Sequence, residues 1–458
     1  MIRCRLAQVA GILAVVFFPT GVVASWDFSP TVTAELNYKD NLFLDSTNEV
    51  NDLIYSITPG FELTQLSRRL RLNATYSLEA LHYQRHSRFD DQYHGLNSNG
   101  QLMLLDKQLF VDMSTSYSQA DIDLDRAGSG DNLSVTDNRT DVKIWNLSPY
   151  WQHQVGNSLF MEVRYGHRRV IDLDTTKINS WSGFIQSLPG FGPISFSLDF
   201  SDRRQDYEFN PPTRFKRSNL RVTIPTWPHQ RVIIDSGYEK DDYQRAAGTD
   251  VPSGGTWALG YGWNLKQRSS FEVTWGQRFF GDSIELHGSH GLKRWTFNLD
   301  YSEDPSTNSQ SQIDNASTLV GGLQQQLVDI GNQEVFIQKR LVVGVHYAGQ
   351  RNQVNFRLSR DKREFQTGTE VGQRNENVNL NWQRDLNSQM KADISAEWLH
   401  RLGAARDYRE WKLSFGLERS LSSRLSVFGR VLHSLRDGRP LSGEYRENTF
   451  KAGVKVSY

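Results

Sequence analysis

Leu70-Arg71-Leu72-Asn73-Ala74-Thr75-Tyr76-Ser77-Leu78-Glu79 sets an apolar residue at every even position and a polar one at every odd position. A helix would group its apolar side chains every three or four residues, so a strict period of two reads as a strand with one greasy and one wet face. The pattern recurs. Ile194, Phe196, Leu198 and Phe200 alternate with Ser195, Ser197, Asp199 and Ser201. Trp295, Phe297, Leu299 and Tyr301 alternate with Thr296, Asn298 and Asp300. Met390–Trp398 and Trp411–Glu418 repeat it nearer the C-terminus. Helical spacing is hinted at only near Leu319–Lys339.

A soluble β-sandwich would alternate in the same way, so the connections must discriminate. About 22 strands (range 18–22) can be marked out. Their links fall into a short class and a long class. The short class comprises Gln65–Arg68, Leu105–Lys107, His153–Asn157, Pro189–Gly192, Lys266–Arg268, Asp385–Ser388 and Leu421–Ser423. The long class comprises Lys39–Asn51, Ala120–Arg139, Tyr207–Thr213, Asp241–Gly254, Glu303–Arg340 and Leu435–Glu444. Tight turns on one rim and long polar loops on the other predict an all-β fold, a closed antiparallel transmembrane β-barrel spanning residues 25–458, with both termini on the periplasmic side.

Composition agrees. The mean hydropathy of −0.57 and the absence of a long apolar run in the mature chain exclude a bundle of membrane helices. A barrel explains how so polar a chain carries 12% aromatic residues, since the inner face of every strand stays wet. Trp26, Trp145, Trp151, Trp181, Trp257, Trp263, Trp382 and Trp398 are expected to contribute to interfacial girdles. With 52 basic and 52 acidic side chains the chain has no bulk charge for nucleic acid, and no such partner is expected.

Arg3 and Arg5 precede an apolar run from Val9 to Val23 and then Ala24-Ser25, the layout of a secretory signal peptide over 1–24. A retained anchor is the alternative, disfavoured by the shortness of the run and by Pro19. Cys4 is the one cysteine, so the mature chain has no thiol for disulfides, catalysis or metal. At the other end Phe450, Ala452, Val454, Val456 and Tyr458 alternate with Lys451, Gly453, Lys455 and Ser457. Lys451, Gly453, Val456 and Tyr458 resemble the C-terminal signature read by the barrel-assembly machinery. Outer-membrane lipid and that machinery are therefore the expected partners.

Two further stretches carry a resemblance. Glu35-Leu36-Asn37-Tyr38-Lys39-Asp40-Asn41 looks like the E-x-x-Y-x-D-N opening of exported bacterial barrels. Gly276-Gln277-Arg278-Phe279-Phe280-Gly281-Asp282, then Leu286–Gly291, Trp295-Thr296 and Tyr301–Thr307, resembles the outer-membrane family associated with PEP-CTERM/exosortase systems and exopolysaccharide loci. The resemblance implies a bacterial outer-membrane protein encoded beside envelope polysaccharide export, with polysaccharide or export components as partners. Its motifs are structural, and no catalytic residue is carried over.

Alternation assigns the charges that should line the lumen: Arg71, Glu162, Arg164, Asp199, Arg203, Arg221, Glu272, Arg278, Glu285, Asp300, Arg357, Glu397 and Arg401. Both signs are present. A pore dedicated to an anionic polymer would favour a ring of one sign, so a weakly selective or neutral-saccharide conduit is expected, or charges that pair across the wall. Residues 305–338 form the longest excursion, read either as a plug or as a surface loop. Leu319, Leu323, Leu327 and Ile330 fall on one helical face there, although Gly321 and Gly322 weaken a helix.

Chemistry has few footholds. His287-Gly288-Ser289-His290 lies near Glu285, but on a strand His287 and Ser289 share a face and His290 points away. His82 and His86 would chelate zinc on a helix; on a strand they stand too far apart. Asp121, Asp123 and Asp125 match the start of a calcium loop, then Arg126 and Asn132 stand where Gly and Glu belong, which leaves a solvated acidic loop as the plainer reading. The expectation is a non-enzymatic pore or scaffold without cofactor or metal. An outer-membrane hydrolase of lipid or saccharide and a plugged structural barrel are the alternatives.

Overall fold

Backbone hydrogen bonding decides the architecture. A sheet in hydrocarbon must leave no edge, because each unpaired N–H or C=O there costs several kcal/mol. The computed structural model describes residues 26–458 apart from 124–125, 129, 244–251, 266–267, 312–333, 367–371, 404–406 and 439–442. β1 (Trp26–Lys39) pairs along its whole length with β2 (Asp52–Leu66), from Trp26↔Gln65 to Lys39↔Asp52. β3 (Leu70–Tyr83), β4 (Asp91–Leu105), β5 (Leu109–Asp121), β6 (Arg139–Val155), β7 (Leu159–Ile171) and β8 (Thr175–Ser187) follow as antiparallel neighbours. β9 (Ser195–Asp206), β10 (Thr213–Pro225), β11 (Gln230–Asp242), β12 (Ser253–Asn264), β13 (Ser269–Arg278), β14 (Gly281–Leu292) and β15 (Trp295–Ser306) continue the ring. β16 (Phe336–Ala348), β17 (Asn352–Phe365), β18 (Gln373–Asp385), β19 (Met390–Leu402), β20 (Asp407–Ser420), β21 (Leu425–Gly438) and β22 (Tyr445–Ser457) complete it. β22 then pairs with β1, from Thr31↔Ser457 to Lys39↔Thr449, so the 22-stranded sheet is closed.

The rims are asymmetric, with two corrections to the simple rule. Links 67–69, 106–108, 156–158, 293–294 and 349–351 crowd one rim, whereas 40–51, 122–138, 243–252 and 307–335 lie on the other. Yet 172–174 and Phe279–Phe280 are tight turns on the long-loop rim, and 188–194 is a longer link on the short one. The excursion expected at 305–338 is also shorter than read. β15 continues through Pro305 to Ser306, because proline costs the ladder only one donor, and β16 resumes at Phe336. The signal-peptide segment 1–24 and the helical face of Leu319, Leu323, Leu327 and Ile330 lie outside the described residues.

The two faces differ as the alternation demands. Trp257, Leu259 and Trp275, and farther round Trp411, Leu413 and Phe415, are exposed on the outside, where lipid covers them. Register puts all eight singled-out tryptophans on that face. Trp26, Trp151, Trp263 and Trp382 stand near the short-turn ends of their strands, Trp257 and Trp398 near the other ends, and Trp145 and Trp181 farther in. Neighbouring rings pack edge-on, as Trp257 and Trp275 do at 5.4 Å. On the inside the apolar packing is local. Leu42, Ile54, Leu81, Tyr83 and Leu133 form one cluster, and Val142, Ile144, Val170 and Ile178 another.

Candidate transport lumen

Opposite partners in an antiparallel ladder face the same side, so parity can be carried strand by strand around the ring. Starting from Lys39, Asn37 and Glu35 it returns without conflict through Lys451 and Gly453. All thirteen charges named from the sequence fall on this inward face. Lys451 and Gly453 share it, whereas Val456 and Tyr458 face outward beside β1 and β21.

The inward charges are organised as opposed clusters. Arg164 donates to Asp112 at 2.6 Å and to Glu162 at 3.0 Å, with its guanidinium over the Tyr150 ring. Arg221 forks onto Asp235 at 2.8 and 3.0 Å and reaches Glu272 at 2.8 Å; Arg231 holds the second oxygen of Glu272 at 2.8 Å. Arg278 grips Glu239 at 2.7 Å and Asp304 at 2.9 Å. Farther round, Asp300 meets His287 at 3.0 Å, Glu397 accepts from Asn377 at 2.9 Å, and Arg401 donates to Gln373 at 3.4 Å. Arg203 lies over Phe215, Arg357 stands opposite Asn379, and Glu285 lies opposite Thr274. Between β9 and β10 a recess of about 390 Å³ is lined by Asp199, Ser201, Arg217, Asn219 and Arg221. The partly exposed pairs each contribute at most about 1 kcal/mol, Arg278–Glu239 is buried, and together they offset one another in sign along the lumen.

Depth divides the lumen in two. Toward the short-turn rim the inward side chains are open: Arg71, Asn73 and Thr75 on β3, Glu418 on β20 and Lys455 on β22 are exposed. Toward the long-loop rim they are buried, among them Lys39, Ile54, Tyr83, Tyr408, Tyr445 and Glu447. The chain's own loops bury them. In 122–138, Asn132 donates to Glu79 on β3 at 2.8 Å, and the Leu133 carbonyl accepts from Tyr83 at 3.1 Å. Asp131 pairs with Lys39 at 3.1 Å and with Lys451 at 3.4 Å. The Gly128 carbonyl accepts from Tyr445 at 2.9 Å, and that of Arg126 from Arg436 at 2.8 Å. One loop thus bridges β1, β3, β21 and β22 from inside.

A second loop enters beyond β15. Thr307 caps a helical turn at 308–311 and donates to Gln205 on β9 at 2.9 Å; Ser309 lies 3.1 Å from Thr176 on β8, and Arg363 on β17 donates to Asn308 at 3.2 Å. Neighbouring Tyr207 is half-buried there, and the loss of water around it raises its hydroxyl pKa. Loop 40–51 instead clasps the seam. Asp40 accepts from the Asn448 backbone at 2.7 Å, and Asn41 donates to the carbonyls of Asp45 at 2.8 Å and Arg446 at 2.9 Å. Backbone N–H groups of Thr47 and Asn48 hold the Asp45 carboxyl below the usual range.

These placements revise several readings. The segment around Asp121 and Asp123 is no solvated acidic loop: it is folded into the lumen, drawn there by Leu133 and Val135, and Asp125 lies outside the described residues. His82 ends up on β3 and His86 beyond its end, each beside a different carboxylate, Asp90 at 2.7 Å and Asp52 at 2.8 Å. Among the described residues no group of three His, Cys, Asp or Glu is arranged to hold a metal. His287 is engaged by Asp300 with Ser289 one rung on, and outward His290 lies 2.7 Å from Ser269. What sequence reasoning missed is loop 122–138, whose signal was Leu133-Ser134-Val135 inside an otherwise polar stretch.

A closed sheet of this size, apolar outside and wet inside, is an outer-membrane β-barrel. No family model matches the chain, and no curated protein does. Solved structures do. The ferric-catecholate import receptor Fiu from E. coli K12, in its closed form, superposes with a TM-score of 0.51 at 10% identity over 93% of this chain and 81% of that one. The FrpB iron transporter from Neisseria meningitidis gives 0.51 at 8% identity over 94% and 82%. At such identities the likeness is one of fold. The protein resides in the outer membrane, with the short-turn rim toward the periplasm.

Proposed function

We propose that this protein is a gated, non-enzymatic conduit of the outer membrane serving the export of surface polysaccharide. The observation that carries the reading is the division of the lumen, a charge-balanced vestibule open toward the periplasm and an outer half occupied by the chain's own loops. A mere scaffold has no use for a wet vestibule whose opposite charges are matched around the wall. The polysaccharide link rests on the resemblance of the 276–307 blocks to the family beside exopolysaccharide loci. On the same reading export components are partners on the periplasmic side, and insertion runs through the barrel-assembly machinery.

Single-channel recording in planar bilayers tests it. The refolded protein is expected to give rare or small steps, and a variant with 122–138 replaced by a short glycine-serine turn to give large ones. Ion selectivity of the open form should be weak. Arg221→Met should shift it toward cations, because Asp235 and Glu272 lose a shared counter-charge, and the reversal potential in a salt gradient reports this. Silence in both proteins, with folded barrels shown by heat-modifiable gel migration, would overturn the conduit.

A further inference from the structure

The inner wall carries one pattern that the charge clusters do not explain. Six successive inward positions of β18 are carboxamides, Gln373, Asn375, Asn377, Asn379, Asn381 and Gln383, before the strand ends on Asp385 opposite Lys391. The outward positions between them include Val378, Leu380 and Trp382, so the register that faces the amides into the lumen is fixed by lipid on the other side. At about 3.3 Å per residue the row runs roughly 33 Å along the strand, which at a tilt of about 40° is close to the ~25 Å height of a barrel's apolar band.

A wet wall needs polar residues, but it does not need one kind. Around the ring other strands mix types freely; β12 presents Gly254, Thr256, Ala258, Gly260 and Gly262 to the same lumen. The amides of β18 also continue sideways. Gln353 and Asn355 on β17 stand opposite Gln383 and Asn381 and are exposed to the vestibule, with His346 Nδ1 2.6 Å from Asn355. Ser395 on β19 completes the rung of Asn381. At the outer end the row is engaged, since Asn377 donates to Glu397 and Asn375 is buried. At the inner end, from Asn379 to Gln383, it borders the vestibule, with Asn381 donating to Asn379 and Gln383 exposed.

A carboxamide offers two donors and an acceptor without charge. A sugar hydroxyl is likewise donor and acceptor without charge. Exchange of water for hydroxyls along such a row is close to neutral in free energy, so contact is weak and reversible at each rung. Transport requires that balance, binding good enough to enter and poor enough to leave. A phosphate-rich or uronate chain would find no cation on the row, and Arg357 and Glu397, which flank Asn379, offset one another.

We infer that the inward carboxamides of β18, with Gln353 and Asn355, form a binding track for a neutral, hydroxyl-rich saccharide chain entering from the periplasmic vestibule. The inference deepens the conduit reading and rests on it for the direction of movement; binding itself can be measured apart from transport.

Saturation-transfer NMR on the full refolded chain in an amine-oxide detergent, free of sugar headgroups, tests it. The probes are maltoheptaose, as a neutral oligomer, and an oligogalacturonate of equal length. Millimolar binding of the neutral oligomer is expected, at least tenfold tighter than that of the anionic one. Asn379→Ser with Asn381→Ser and Gln383→Ser keeps the wall polar and should weaken it about tenfold, whereas Asn97→Ser with Asn99→Ser on β4 should leave it unchanged. Absence of binding, equal binding by the serine variant, or preference for the anionic oligomer would overturn the track. Conductance without saccharide binding removes the track and keeps the conduit; binding with silent bilayers does the reverse.

Discussion

Lys39→Met is expected to open the barrel without unfolding it. The Lys39 side chain is 0% exposed, and its Nζ lies 3.1 Å from Asp131 and 3.0 Å from Glu447. Methionine keeps the length and removes the charge. Two carboxylates then remain in a dry site, with Lys451 3.4 Å from Asp131 as the neighbouring cation. Deleting one partner of a buried pair costs about 3–5 kcal/mol. The strands are held by ladder hydrogen bonds that this change leaves alone, whereas 122–138 is held chiefly by side-chain contacts. The cost therefore falls on the loop, which escapes it by leaving the lumen. Bilayer recordings should show frequent large steps with unaltered heat-modifiable migration. Adding Glu447→Gln should restore part of the closure, since one of the stranded charges is gone. A folded Lys39→Met barrel as quiet as its parent would show that this latch does not hold the loop.

Gly276→Ala should act on the barrel itself. A Cβ added there would fall 1.8 Å from the carbonyl oxygen of Trp257 and 2.5 Å from the Cα of Ala258. Both are backbone atoms of the adjoining strand, and neither can swing aside. Overpacking ordinarily costs about 1–3 kcal/mol, and here relief requires moving β12 away from β13 at the rung Ala258↔Gly276. The expected result is a sharp fall in the folded fraction on refolding into detergent or lipid. Gly288→Ala is the matched control, because its added Cβ would meet nothing nearer than Phe271 Cδ2 at 3.5 Å. Equal refolding of the two variants would refute the argument.

Much of the fold was legible because a membrane strand obeys two rules at once, period two along the chain and no free edge. Leu70–Glu79 and Trp295–Tyr301 therefore declare both their conformation and their faces. The inward set, from Arg71 to Arg401, follows from parity alone. Partnership does not. Arg221 meets Glu272 across two intervening strands, and Lys39 meets Asp131 on a loop far along the chain, so neither pair leaves a local trace. The K-D-N end of the opening motif was visible, but not its purpose: Asp40 and Asn41 fasten the outer end of the β1–β22 seam. The reading of 122–138 as a solvated loop failed for a related reason. Its polar residues satisfy partners inside the barrel, and composition cannot tell such partners from water.

The filled outer half also bears on the permeability of the cell. Barrels of this girth left open would admit bile salts, dyes and bulky antibiotics, and few copies could be tolerated. With Leu133 packed against Leu42, Ile54 and Tyr83 on one arc, and Thr307, Asn308 and Ser309 held by β9, β17 and β8, the protein's own chain narrows the outer half, so more copies can sit in the envelope while it stays tight. Abundance and barrier integrity are then compatible.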